Sequence, residues 1–360
     1  MNAQKRSCNN VTLGEKAMRR QLFVSLLAVG CAALYAAPAA ADDFFKGKQI
    51  TMMTGSNPGG VNEAYARLLG RHMAKHIPGN PTVIFQSVPG AGGAVLANRL
   101  AEKSPRDGTA IGQVQRTLLL DPLLLDKPFN FNPIEFNWLG SLNSETNILI
   151  VSGDSQVKSI EDAKKFEAVL AAGGAETEGV IYPMLVNDFL GTKFKVVSGY
   201  PGDAGMMLAI ERKEVEGRGG VPWSAIKATS AQKLADGKIK VILQMALKPN
   251  PELAGVPSLL DLVKSDVHKQ VLELLFARSE MGRPFVLPPG VPAERVAMLR
   301  KAFLDTTKDP EFLAEAKKLE FEIDVVSGEE MQKLMQQLYS KPKEVYDEAK
   351  RAIKAAVEKR

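Results

Sequence analysis

The chain has 360 residues, with 46 basic against 41 acidic side chains for a formal net charge of +5, and only two cysteines. Five of those basic residues and one acidic residue lie in positions 1–41, so residues 42–360 carry 41 basic and 40 acidic groups. That near-neutral balance excludes the basic footprint of a nucleic-acid binder. Both cysteines, Cys8 and Cys31, also fall within 1–41, so the remainder cannot use a disulfide, a thiolate metal site or a cysteine nucleophile.

The first segment reads as an address. Arg19-Arg20 precedes an apolar run from Leu22 to Tyr35, and Ala39-Ala40-Ala41 precedes Asp42. A charged, then apolar, then small-residue order is that of a cleavable secretory signal peptide. The apolar run is shorter than the roughly 20 residues a membrane span needs. Residues 1–41 are therefore expected to be removed, with Met1 or Met18 as the start, and 42–360 to work in the periplasm. Lipidation of Cys31 is the other reading, against which stands Ala28, a poor match three residues before it.

Strands and helices then alternate. Ile50–Thr54 predicts a strand, and Val61–His76 a helix with Val61, Tyr65, Leu68, Leu69, His72 and Met73 on one stripe. Val83–Phe85 and Ile111–Val114 predict further strands, with Ala94–Lys103 a helix between them. Strands follow at Asn147–Val151, Val169–Ala172, Lys195–Val197 and Lys240–Met245. Ser159 is placed to cap a helix to Lys165, with Asp162 at its third position. From about Pro292 the chain reads as helical. The alternation predicts an α/β protein with parallel sheets, whose ligands sit at the carboxyl ends of the strands.

Two glycine loops fall at such ends: Pro58-Gly59-Gly60, leading to Glu63, and Pro89-Gly90-Ala91-Gly92-Gly93. Glycine lets a backbone approach a ligand closely, and the helix start behind each loop favours an anion. Together they predict capture of a small carboxylate. Each feature also has an ordinary role as a turn. Catalytic and metal constellations are missing. There is no G-x-S-x-G, no phosphate loop of the Walker type and no full G-x-G-x-x-G. His72 and His76 have the spacing of a helical metal pair but no glutamate joins them. No cofactor, catalytic residue or metal ligand is expected.

An ordered set of motifs carries a resemblance. It comprises Pro58-Gly59-Gly60, Pro89 to Gly93, Pro105 to Gly108, Phe129-Asn130-Phe131-Asn132-Pro133, Gly199-Tyr200-Pro201-Gly202 and Pro288-Pro289-Gly290-Val291-Pro292. From about Phe45 to Glu348 the chain resembles the substrate-binding receptors of tripartite tricarboxylate transporters, the Bug receptors. The resemblance implies a two-lobed periplasmic-binding-protein-like fold of type II, each lobe a sheet flanked by helices, with a hinge. It implies a first lobe of 42–143 plus 282–360 and a second of 144–281, the chain crossing near Leu139–Asn147 and returning near Gly282–Leu287.

The same resemblance implies a ligand set of Pro58, Gly59, Gly60, Glu63, Gly90, Ala91, Gly92, Gly93, Arg116 and Thr117 from the first lobe. From the second it implies Gly174, Thr177, Tyr200, Gly202 and Asp203, with Glu176 facing solvent or a polar ligand group and Trp223-Ser224 close by. Glu63 stands where the family has aspartate, and Gln115-Arg116-Thr117 where it has small hydroxyl residues. Arg116 offers a bidentate partner for a carboxylate, with an ordinary salt bridge as its alternative. The implied function is a monomeric extracytoplasmic receptor that passes a small organic acid to large and small integral membrane transporter subunits. A secreted α/β enzyme acting on a carboxylate, and a receptor reporting to a sensor kinase, are the competing readings.

Overall fold

The computed structural model describes residues 44–56, 58–125, 128–174 and 177–358. The expected signal segment, both cysteines and Glu176 lie outside the described residues. Among the described residues, no helix is long and apolar enough to cross a membrane.

Among the described residues, eleven strands form two sheets. They are β1 (Gln49–Thr54), β2 (Thr82–Ser87), β3 (Ala110–Gln113), β4 (Asn137–Ser141), β5 (Asn147–Ser152) and β6 (Ala168–Ala172). β7 (Phe194–Ser198), β8 (Gly217–Pro222), β9 (Ile239–Met245), β10 (Pro284–Leu287) and β11 (Val326–Ser327) follow. The first sheet has the order β11-β4-β10-β3-β1-β2, the second β7-β6-β8-β5-β9. Strand composition follows position. β2, at an edge, alternates exposed and half-buried residues, whereas β3 and β5, flanked on both sides, are buried almost throughout.

The sheets are mixed, which corrects the expectation of parallel ones. β1 pairs parallel with β2 and β3, but β10 runs antiparallel to β3 and β4, and β11 antiparallel to β4. In the second sheet β5 is antiparallel to both β8 and β9. The reason is the path of the chain. β4 lies in the first sheet and β5 in the second, while β9 lies in the second and β10 in the first. Phe285, near the start of β10, sits opposite Gln113, the last residue of β3. A chain arriving from the other lobe at the carboxyl ends of the strands has to run against them.

One apolar cluster joins residues of both lobes, among them Leu100, Leu118, Trp138, Leu149, Leu170, Val186, Phe276 and Ala349. A smaller one, with Ile148, Met206, Ile210 and Ile226, covers the other side of the second sheet. The helix Lys343–Glu358 buries Val345, Ala349, Ala352 and Ala356, a stripe at helical spacing. That stripe packs on the helices Glu178–Leu190 and Asp266–Glu280. Arg351 clamps the contact by donating to Asp188 at 2.9 Å. The last helix, expected with the first lobe, thus rests on two helices expected with the second. Ser159 caps its helix as expected, its Oγ accepting the Asp162 N–H at 3.1 Å.

Candidate ligand-binding site

The second glycine loop has an unusual backbone. Gly90, Ala91, Gly92 and Gly93 have φ of 132°, 47°, 63° and 95°, four consecutive residues in the region that L side chains avoid. Ala91 adopts it with a Cβ, the kind of local strain that persists where surrounding structure enforces it. A Cβ on Gly93 would lie 2.6 Å from Gln115 Cγ, so the loop presses against the segment after β3. A hollow of about 550 Å³ opens there, lined by Gly55, Ser56, Pro89, Gly90, Gly92, Gly93, Gln115 and Thr117. The carboxyl ends of β1, β2 and β3 therefore converge on one glycine-lined space.

The first glycine loop is organised differently. Glu63 is buried at the third position of the helix Val61–Met73, and its carboxylate turns back on its own loop. Oε2 accepts the Gly59 N–H, and Oε1 accepts Arg67 Nε and Nη2 at 2.9 and 2.7 Å. The Gly59 N–H, and then Arg67, hold the Glu63 carboxyl below the usual carboxylate range. A glutamate there satisfies unpaired donors at a helix start. It faces neither the hollow nor Arg116, and Pro58, Gly59 and Gly60 do not line the hollow.

Arg116 begins the short turn Arg116–Leu119 and is half-buried. It pairs with Glu178 of the second lobe at 3.4 Å. Thr117 lines the hollow. From the second lobe, Thr177 Oγ1 donates to the Gly174 carbonyl at 2.8 Å, closing the turn before the helix Glu178–Leu190. The Tyr200 N–H donates to Ala172 O, tying the loop after β7 to the end of β6. Gly202 begins the helix Gly202–Glu211. Asp203 accepts Arg218 Nη2 at 2.5 Å, and Arg218 is a buried cation that needs an acid. Trp223 donates to Glu252 at 2.6 Å.

Sequence reading missed two charged residues on the crossings. Glu145 lies between β4 and β5, its oxygens accepting Asn143 Nδ2 at 3.1 Å and Ser224 Oγ at 3.0 Å. Burial, above all, pushes the Glu145 carboxyl up. Arg283 lies just before β10 with its guanidinium 5.2 Å from the Tyr65 ring centre. Its Nη1 donates to Gly282 O at 2.9 Å, while its buried Nε has no partner. Burial, above all, pulls the Arg283 pKa down. Arg116, Glu145 and Arg283 lie close enough to feel one another's charge. The available signal was their position, inside the segments that the motif order marks as crossings.

His72 and His76 face acids instead of each other. His72 Nε2 lies 2.7 Å from Glu315 and His76 Nε2 2.8 Å from Asp309. His72, Asp309 and Glu311 could together reach a metal ion. The Lys75 ammonium already bridges Asp309 and Glu311 at 2.7 and 2.5 Å, so the cluster has its cation.

Two mixed sheets, flanked by helices and crossed by the chain between them, define a two-lobed periplasmic-binding-protein-like fold. Residues 65–350 match the tripartite tricarboxylate transporter family receptor, and the chain belongs to that family of solute-binding receptors. The match starts beyond the first glycine loop. No curated protein matches the chain. Among solved structures it is similar to a TctC solute binding protein from Polaromonas, with no ligand. That pair has 18% identity and a TM-score of 0.65, covering 85% of this chain and 98% of the other. It is also similar to an R. palustris protein with adipate, with 18% identity, TM-score 0.51, 86% of this chain and 97% of the other. A third is MatC from Rhodopseudomonas palustris with bound malate, with 16% identity, TM-score 0.50, 85% of this chain and 99% of the other.

Proposed function

We propose that this protein is an extracytoplasmic receptor that closes two lobes on a small organic carboxylate and delivers it to the membrane subunits of a tripartite tricarboxylate-type transporter. The observation that carries the reading is the glycine-lined hollow at the ends of β1, β2 and β3, whose lining residues Gln115 and Thr117 flank Arg116 in the chain. Close-packed glycine backbone and a planar cation are the chemistry a carboxylate needs. Adipate and malate in the two R. palustris structures are in keeping with it. Of the implied set, Gly90, Gly92, Gly93, Arg116 and Thr117 are proposed to meet the ligand. Gly174, Thr177 and Tyr200 close on it from the second lobe. Lobes of 42–143 plus 282–360 and of 144–281, export through residues 1–41, periplasmic residence and a monomeric state belong to the same proposal.

Calorimetric titration of the dialysed mature protein with a panel of organic acids tests it. Saturable binding at one site, with the acid recovered unchanged, is expected. Consumption of the acid would make the protein an enzyme, and an absence of binding across the panel would remove the carboxylate.

A further inference from the structure

The second sheet has a gap in its helical cover. The helix Gly202–Glu211 packs on β6, and the helix Trp223–Ala235 on β8 and β9. The latter buries only Ile226 and Ser230. Between the two helices runs a groove of about 440 Å³, far larger than the voids that ordinary packing leaves. Ala204, Met207 and Leu208 wall it on one side and Ala225 and Ile226 on the other, with Arg218 of β8 on its floor. All its lining residues fall between 203 and 233, and none lines the glycine hollow. Arg218 lies between Ile150 of β5 and Ala171 of β6, both in an apolar cluster, and is 5% exposed. A cation there is costly without acceptors. Nη2 has Asp203, whose own side chain is 68% exposed. Nε is sealed from solvent, whereas Nη1 is neither sealed nor paired among the described residues. At the far end of the groove Lys233 donates to Glu211, so that pair neutralises itself.

We infer that this groove is a second binding site, for a straight-chain aliphatic carboxylate of medium length: its head meets the Arg218 guanidinium and its chain lies between the two helices. A carboxylate supplies the acceptor that Nη1 lacks. Apolar walls suit the chain, and Met207 adapts its shape to it. From Asp203 to Glu211 the helix rises about 12 Å, room for an extended chain of roughly eight carbons. Each methylene taken out of water strengthens binding by roughly fourfold at most. Asp203 opposes an anion at this end, but a carboxylate held mostly in water yields its place at little cost. The inference does not depend on what binds between the lobes.

The experiment is NMR of the mature protein carrying methyl-labelled methionine, titrated with butanoate, hexanoate, octanoate and octan-1-ol. Met207→Leu assigns the Met207 signal, and melting curves confirm that each variant is folded. Octanoate is expected to shift Met207 saturably, and to bind roughly tenfold more tightly than hexanoate or octan-1-ol. Arg218→Met, an apolar chain in place of the cation, should erase the preference for octanoate over octan-1-ol. Asp203→Asn should strengthen octanoate binding, since it removes the competing charge. Thr229→Phe, at an exposed position lining the groove, should block it. The shift should persist in Arg116→Ala, which separates this groove from the site between the lobes. A Met207 signal that octanoate leaves unmoved, an equal response to octan-1-ol in the parent, or loss of the shift in Arg116→Ala would overturn the inference. So would octanoate binding undiminished in Arg218→Met or, should that variant fail to fold, in Thr229→Phe.

Discussion

Arg116 reaches across the cleft to Glu178, 3.4 Å away, so the loop after β3 in the first lobe is tied to the first turn of a helix in the second. Both side chains are a quarter to a third exposed, and solvent weakens such a pair. A ligand carboxylate offering two hydrogen bonds in line competes well with a contact of that length. Arg116→Ala should therefore weaken a carboxylate ligand by roughly 30-fold or more, the low end of the ~2–5 kcal/mol cost of removing one partner of a desolvated pair. Arg116→Lys should recover part, and Glu178→Gln should tighten binding by freeing the guanidinium. Affinity of Arg116→Ala within about twofold of the parent would make Arg116 a purely structural tie.

The glycine loop separates two kinds of cost. A Cβ on Gly92 meets nothing within 4 Å, but its φ of 63° is unfavourable for an L residue, whereas a Cβ on Gly93 also collides with Gln115. Gly92→Ala should cost about 1 kcal/mol of stability. Gly93→Ala should cost more and weaken the ligand more, since it also displaces Gln115 from the hollow. Denaturant unfolding read beside calorimetry checks the order. Equal losses in both variants would contradict the close approach.

Glu63 gives a control. Its carboxylate is engaged by Gly59 and Arg67, so Glu63→Gln should lower the melting temperature and leave ligand affinity unchanged. A clear change in affinity at unchanged melting temperature would return Glu63 to the cleft.

The ion-pair cluster on the first lobe predicts a pH dependence. Lys75, then His76 and the Glu311 N–H, hold the Asp309 carboxyl well below its ordinary value of 3.8. A depressed acid contributes stability that is present above the unfolded value and is lost as pH falls through the folded one. Asn also caps a helix well, so Asp309→Asn keeps the cap of the helix Pro310–Lys318 and removes the charge. The variant should melt below the parent at neutral pH, with the gap closing below about pH 3.8. A gap that persists undiminished in acid would assign Asp309 a role other than charge.

Much of the frame was legible in local pattern. β1, β2, β5, β6 and β9 are apolar runs bounded by turns, Ser159 is a cap by spacing, and both glycine loops sit at strand ends. β8 was not, because Gly-Arg-Gly-Gly-Val-Pro reads as a loop. It is a strand because β5 presses on it: a Cβ on Gly217 would lie 2.2 Å from Ile150 O. The antiparallel direction of β10 depends on the path of the whole chain. Arg283 faces Tyr65 from the far end of the sequence, and no local window joins them. The engagement of Glu63 by Gly59 and Arg67 was not legible, because these partners meet it only once the loop folds back.

The most direct measurement of the central claim is mass spectrometry of the mature protein purified under native conditions and then denatured. The account predicts one equivalent of a small carboxylate, released with its mass unchanged, and its loss from Arg116→Ala purified in parallel. Retention of the same molecule at the same stoichiometry in Arg116→Ala, or release of a bound species that carries no carboxylate, would contradict it.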